Sequence, residues 1–263
     1  MVVLMRVINV KFIKNQVEII LDDGSFFISK ENYIENPLTI DSYVDEKKIA
    51  SLLRQEKVIE SKIELIKLLN IKALTELEIK KKLIEKNLDY REVEIIIESL
   101  KRSGLINDEY VGILMVESLL MKKRGRLEIV KELKIKGIND EIIKKLVSEI
   151  DESDYKNNFD RVCEKYLKIY SNKVNRLKEQ MIISKLKEYG YEADLIESIN
   201  IVKNDDEEVS LAKQSIIKMI RNKSVDLNNY ENLNKIKSKL VMKGFSYAII
   251  NLALEEVIKD EAY

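Results

Sequence analysis

An internal repeat constrains the fold of this chain more than any other feature of its sequence. Four windows of 25 residues, 76–100, 126–150, 179–203 and 233–257, align without a gap. In every window the fourth residue is isoleucine, the eighth is leucine, and the twelfth is glycine or asparagine. Such a register predicts an array of like-built units, because each unit buries its apolar face only against its neighbours. The residues are Ile79, Ile129, Ile182 and Ile236, then Leu83, Leu133, Leu186 and Leu240, then Asn87, Gly137, Gly190 and Gly244.

Each window predicts a helix, a turn and a second helix. Isoleucine and leucine four residues apart lie on one helix face, and glycine or asparagine four residues further on suits a left-handed C-terminal cap. An apolar residue, a polar helix start and a second apolar face follow. The leucines are 50, 53 and 54 residues apart, which leaves room for one more helix before each pair. These additional helices are predicted at Lys62–Leu69, Glu109–Leu120, Asp160–Tyr170 and Val209–Ile220.

The first 36 residues have a different periodicity. Apolar residues alternate with polar ones from Ile8 to Phe12 and from Val17 to Leu21, and Phe26–Ile28 makes a third short run, which predicts a three-stranded β-meander. Pro37, the only proline, predicts the end of that unit. The predicted fold is therefore mainly α, with tandem three-helix repeats in an elongated, curved array after a small N-terminal meander. The predicted segments are the meander 1–36, a linking helix 37–60, and repeats 61–103, 104–150, 151–204 and 205–263.

The residues that are missing exclude several classes of site. The chain has no histidine and one cysteine, Cys163, so neither a histidine-dependent catalytic triad nor a cysteine–histidine metal site can form. Neither GxxxxGK[ST] nor GxGxxG occurs, which excludes the two common phosphate-binding loops. We expect Cys163 to be a small apolar core residue. The start of the chain lacks a signal-peptide pattern and no apolar run is long enough to span a membrane, so we expect a cytoplasmic protein. We also expect it to be a monomer.

Four consecutive acids, Asp205 to Glu208, form the densest carboxylate cluster. They could hold Mg²⁺ in a nuclease, or they could be the first turn of a solvated helix, where the helix dipole favours acids. Consecutive helical residues do not converge on one ion, which favours the second interpretation.

Three stretches resemble the RecX family. Gly104–Tyr110 is similar to the family's junction between repeats, Arg124–Ile138 resembles its KG-basic-xxI-xxEL-xxKGI stretch, and Thr75–Leu83 resembles its [ST]-xxEL-xxKL stretch. The resemblance covers about residues 60–203 well. It implies a curved array of three-helix repeats that binds the RecA nucleoprotein filament along its groove, restrains its ATPase and strand exchange, and needs no cofactor. It also implies auxiliary DNA binding, because many members bind DNA.

Charge is segregated within the repeats although the net charge is zero. Residues 122–136 hold seven basic and two acidic side chains, whereas residues 139–154 hold two basic and six acidic ones. Stacked repeats would align such segments into a basic stripe that can follow a filament groove or a phosphate backbone. The predicted contacts with RecA or DNA are Lys123, Arg124, Arg126, Lys131, Arg176, Lys178 and Lys185. A helical adaptor for another protein partner is the alternative, and an enzyme is the least favoured.

Overall fold

The computed structural model describes residues 3–199, 204–223 and 229–261. The strands are β1 Leu4–Ile13, β2 Gln16–Leu21, β3 Gly24–Ser29 and β4 Tyr43–Asp45. The helices are α1 Lys30–Glu35, α2 Glu46–Leu69, α3 Glu76–Glu85, α4 Tyr90–Arg102, α5 Asp108–Met121, α6 Arg126–Ile135, α7 Asp140–Ser148, α8 Glu152–Ile169, α9 Asn175–Tyr189, α10 Ala193–Glu197, α11 Asp205–Lys223, α12 Tyr230–Met242 and α13 Tyr247–Glu261. The mainly helical class with an N-terminal sheet is thus confirmed.

The order of the helices agrees with the predicted repeat. Trios α5–α7, α8–α10 and α11–α13 each lie where the sequence predicted three helices, and α3 and α4 occupy the first window. α8 begins at Glu152, eight residues before the predicted start at Asp160. The end of the third window at 200–203 lies outside the described residues. So do residues 224–228, between the predicted helix Val209–Ile220 and the fourth window, and the terminal residues 1–2 and 262–263.

The twelfth position of every window has the predicted left-handed conformation. The φ angles are 58° at Asn87, 78° at Gly137, 83° at Gly190 and 95° at Gly244. In the first, third and fourth windows the backbone N–H of the next residue donates to the carbonyl of the leucine at position eight, as in the 3.1 Å bond from Tyr191 to Leu186. All four isoleucines at position four and all four leucines at position eight are at most 3% exposed. The repeat register therefore encodes both the helix ends and the core.

The sheet has four strands, one more than predicted. Its order is β3-β2-β1-β4, with every neighbouring pair antiparallel. The segment after Pro37 returns to the sheet, where Leu38 and Val44 join its buried core. Pro37 therefore does not end the N-terminal unit. β4 is only three residues long, too short for an alternating pattern to identify.

One helix replaces the predicted linking helix and the first helix of repeat 1. α2 begins after Asp45, whose side chain caps the N–H of Lys48, and continues for 24 residues to Leu69. The sequence has no glycine or proline near residue 60, and Ser61, which could cap the start of a separate helix, is buried inside α2. Glu56 in this helix is buried and accepts hydrogen bonds from the backbone and hydroxyl of Ser29 and from Asn32. This carboxylate ties the sheet to α2.

The chain forms two compact units. The first contains Met1–Ile113 and Lys134–Ile142, and the second contains Leu114–Leu133 and Ile143–Tyr263. The boundaries of the six predicted segments and the elongated, curved form of the array remain predictions. Within the described ranges, no helix combines the length and the apolar character that crossing a bilayer requires.

The second helix of one repeat begins against the glycine turn of the next repeat. In the first unit, a Cβ at Gly137 would lie 2.6 Å from Leu77 Cδ2. In the second unit, a Cβ at Gly190 would lie 2.5 Å from Glu128, and one at Gly244 would lie 3.3 Å from Leu177. The residue after the glycine turn is apolar and the turn itself has no side chain, so successive repeats approach closely at this point.

A cap on α3 adds charge to this contact in the first unit. Glu78 completes a capping box with Thr75, and its other oxygen accepts a 2.5 Å hydrogen bond from Lys136 Nζ, next to the glycine turn. Burial alone would raise the pKa of Glu78. The bonds from Lys136 and Thr75 outweigh burial, so the pKa is lowered. The ionised carboxylate is therefore the form that stabilises the fold.

We expect Glu78→Gln to remove about 1 kcal/mol of stability at pH 7, the contribution of a partly exposed charged hydrogen bond. Because the folded pKa is lowered, the contribution of Glu78 is present above the pKa of the unfolded chain and is lost as pH falls through the folded pKa. Urea denaturation of both proteins between pH 7 and pH 3 should show the difference shrinking. Glu98→Gln is the control, since its partner Arg102 is exposed. A difference that does not change with pH would contradict this.

Candidate partner-binding surface

All seven predicted contact residues lie in the second unit. Lys123 and Arg124 follow α5, Arg126 and Lys131 belong to α6, and the other three residues belong to α9. These three are Arg176, Lys178 and Lys185. The structure distinguishes them sharply by exposure and by partner.

Lys178 is buried, which corrects its assignment to an exposed contact. Its side chain is 8% exposed, and two other polar residues of the same unit, Asn175 and Glu208, are also buried. Asn175 Nδ2 donates to Glu208 Oε2. Burial raises the pKa of Glu208, while the bond from Asn175 and the charge of Lys178 act in the opposite direction. Lys178 is therefore an interior residue whose charge acts on Glu208, and its side chain is not exposed to a partner.

Arg126 is held in a polar cluster of its own unit. Its guanidinium lies 4.2 Å from the centroid of the Tyr155 ring and forms ion pairs of 2.5 Å with Glu152 and 3.5 Å with Glu192. The Tyr155 hydroxyl accepts from the Arg126 backbone N–H and donates to Glu192. Burial and the bond to Glu192 raise the pKa of Tyr155, so the hydroxyl remains a donor. Because its guanidinium is already engaged by these contacts, Arg126 stabilises the fold of its own unit.

Lys131 and Lys185 each pair with a glutamate on their own helix. Lys131 Nζ lies 3.1 Å from Glu128, and Lys185 Nζ lies 2.5 Å from Glu188. Such surface pairs contribute little, so a partner's carboxylate or phosphate can replace them.

Lys123, Arg124 and Arg176 have no carboxylate within 4.0 Å among the described residues. Lys123 has a φ of 57° at the end of α5, and its carbonyl accepts from the Tyr191 hydroxyl at 2.9 Å. Arg124 lies 4.9 Å from the centroid of the Tyr189 ring. Of the seven predicted residues, these three are the surface candidates without a close ion pair in the described part of the chain, although the charge of Arg124 helps to lower the pKa of Glu188.

The sequence analysis did not single out a row of basic residues on α8. Arg161, Lys165 and Lys168 are exposed and lie on one face of the helix, because they are spaced by four and three residues. Lys165 lies 5.3 Å from the centroid of the Tyr166 ring, and that ring lies 6.0 Å from Tyr189. The spacing of these cations on a predicted helix was the signal that could have identified them.

Five cations therefore form what we call the basic surface. Arg161 and Lys123 line the same cavity between α5 and α8, which Glu117, Asp151 and Asp154 also line. Aromatic contacts connect Lys165 with Arg124. The hydrogen bond between Tyr166 and Tyr189 raises the pKa of Tyr166 to about 12 and lowers that of Tyr189. The members of the basic surface are Lys123, Arg124, Arg161, Lys165 and Lys168.

The acidic cluster Asp205–Glu208 forms the first turn of α11, as the helix-start interpretation predicts. Its last member, Glu208, faces Asn175 and is buried, away from the exposed Asp205 and Asp206. Among residues 3–199, 204–223 and 229–261, no group of three or more side chains of ligand type could hold a metal ion. Cys163 is buried as predicted, and burial raises the pKa of its thiol to about 11.

Known proteins resemble this chain along most of its length. Regulatory protein RecX of Lactococcus lactis subsp. cremoris strain SK11 is 23% identical over 90% of this chain and 91% of its own. Regulatory protein RecX of Streptococcus agalactiae serotype III is 25% identical over 89% and 92%. No protein-family model matches.

Two solved structures have a similar fold. A crystal structure of regulatory protein RecX aligns with a TM-score of 0.63 and 23% identity, over 74% of this chain and 98% of the other. The crystal structure of RecX from Lactobacillus salivarius aligns with a TM-score of 0.51 and 22% identity, over 55% and 94%.

Proposed function

Because the chain belongs to the RecX family, we propose that it regulates the RecA recombinase by binding along the groove of RecA nucleoprotein filaments. Binding there mainly inhibits ATP hydrolysis and strand exchange, and auxiliary contacts reach the DNA. The protein acts as a monomer in the cytoplasm, without a cofactor and without catalysing a reaction. The observation that carries this proposal is the basic surface, a set of cations on helical repeats that form no ion pair within 4.0 Å among the described residues.

The basic surface suits a long, negatively charged partner. The five cations have no carboxylate within 4.0 Å among residues 3–199, 204–223 and 229–261, so no ion pair of that part of the chain must break before they bind acidic groups or phosphates. Arg124 and Lys165 lie over tyrosine rings, which orients their charges. Such contacts position the protein on a filament and do not read a base sequence.

RecA-catalysed ATP hydrolysis on single-stranded DNA tests the proposal. We expect the protein to lower the hydrolysis rate at less than one molecule per RecA subunit. The triple variant Lys123→Gln, Arg124→Gln and Lys165→Gln should raise the half-inhibiting concentration about tenfold, which corresponds to ~1.4 kcal/mol. A salt series should show a weaker dependence for the variant than for the wild type, since charged contacts are removed.

The matched control removes three other exposed lysines. Lys47, Lys81 and Lys82 lie on α2 and α3 of the first unit, and their change to glutamine alters the net charge by the same amount. We expect the control variant to inhibit as the wild type does. A wild-type protein without effect on the hydrolysis rate would contradict the regulatory function, and equal losses in both variants would contradict the assignment to the basic surface.

A further inference from the structure

A second cationic site lies in the second unit, away from the basic surface. A cavity of about 510 Å³, open to solvent on one side, is lined by the loop before α9, one face of α11 and the turn between α12 and α13. The residues that line it include none of the basic surface. We call it the lysine cavity.

Three lysines line this cavity, and its described lining contains no acid. Lys173 belongs to the loop, Lys218 to α11 and Lys243 to the turn, so three separate elements bring positive charge to one space. None of the three has a carboxylate within 4.0 Å among the described residues. The buried acid Glu208 bonds to Asn175 and does not line the cavity. Like charges in a partly enclosed cavity repel one another, and a bound anion removes that repulsion.

The cavity also has an apolar wall, which a site for a small inorganic anion would not need. Leu177, Leu211 and Phe245 give the cavity an apolar side. Phe245 is itself part of the buried core of repeat 4, which fixes its position. A flat apolar or aromatic group can therefore bind beside the lysines.

Polar uncharged groups complete the lining. Gln214 and Ser215 lie on the same face of α11 as Lys218, four and three residues before it, and Asn172 lies in the loop that lines another side of the cavity. Amide side chains offer both donors and acceptors, which is what the edge of a nucleobase requires.

We propose that the lysine cavity binds a nucleoside phosphate. The lysines bind the phosphate groups, the apolar wall takes the base or sugar, and the amides recognise the edge of the base. The volume falls within the roughly 300–1,000 Å³ of small-molecule sites. A free nucleotide and the end of a nucleic-acid strand share this chemistry. The proposal does not depend on RecA regulation, because the two surfaces share no residue.

Isothermal titration calorimetry of the full-length protein tests it. ATP represents the free nucleotide, and a 5′-phosphorylated thymidine octamer represents the strand end. Adenosine, which has the base and sugar but no phosphate, and inorganic phosphate, which has no base, are the two comparison ligands. We expect ATP or the octamer to bind at least tenfold more tightly than adenosine and than phosphate. The triple variant Lys173→Gln, Lys218→Gln and Lys243→Gln should weaken that binding at least tenfold.

The control changes Lys187, Lys239 and Lys259, which are exposed, belong to the same unit and do not line the cavity. Their change to glutamine should leave the affinity within about twofold. The octamer is also titrated into the triple variant Lys123→Gln, Arg124→Gln and Lys165→Gln. Any loss of affinity in that variant measures the octamer that binds at the basic surface. No binding of ATP or octamer, affinities equal to that of phosphate, or equal losses in both lysine variants would overturn the proposal.

Discussion

Changing Gly125 to alanine is expected to destabilise the second unit by about 3 kcal/mol or more, which is at the upper end for overpacking. The new Cβ would lie 2.2 Å from the carbonyl oxygen of Gly190 and 2.4 Å from the backbone nitrogen of Tyr191. Both atoms belong to the backbone, so no side-chain rotation relieves the overlap. Hydrogen bonds from Gly125 to Tyr189 at 2.7 Å and from Leu127 to Gly190 at 3.0 Å hold the two segments together.

Gly104→Ala is the matched control for this experiment. Gly104 has a φ of 70°, but a Cβ there meets nothing within 4 Å. Alanine in that left-handed conformation costs about 1–2 kcal/mol, which is conformational strain without overlap. Urea denaturation followed by circular dichroism measures both variants. If Gly104→Ala were as damaging as Gly125→Ala, the close approach of the repeats would not be what requires glycine at position 125.

Changing Leu133 to alanine is expected to reduce stability by about 2–5 kcal/mol. Leu133 is the leucine of the eighth position in the second window and is fully buried. Its removal deletes apolar contacts and leaves a cavity that the rigid surroundings fill only in part. Since one such leucine occurs in every window, the experiment measures how much one position of the repeat register contributes.

Leu127→Ala on the same helix provides the comparison. Leu127 is 57% exposed, so the identical substitution should change the unfolding free energy by less than about 1 kcal/mol. Thermal or urea unfolding of the two variants gives the difference. Similar losses from both variants would mean that the register of buried leucines does not define the core.

The helical part of the fold could be predicted from the sequence because the same pattern of core and turn residues occurs in all four windows. A buried leucine, a left-handed turn four residues later and an apolar residue after it recur in each window, and each is confirmed. The fourth strand was missed because Tyr43–Asp45 has no repeated counterpart and is fixed by pairing with β1, almost forty residues earlier. Tertiary pairing of so short a segment leaves no local pattern.

The candidate site was predicted only in part, because a count of charges along the chain does not say which way each side chain points. Lys178 lies four and eight residues before Ile182 and Leu186, on the buried face of α9, so helical periodicity would have excluded it. Arg126 could not be excluded in this way, since its partners Glu152 and Glu192 are distant in sequence. Lys123 and Arg124 remain predicted contacts.

The fit between each glycine turn and the preceding repeat determines how such a chain can change its length during evolution. A deletion inside a window would displace the turn from the helix start that it contacts, whereas loss or duplication of a whole module of 50, 53 or 54 residues keeps the stacking geometry. Length variants of this architecture should therefore differ in copy number.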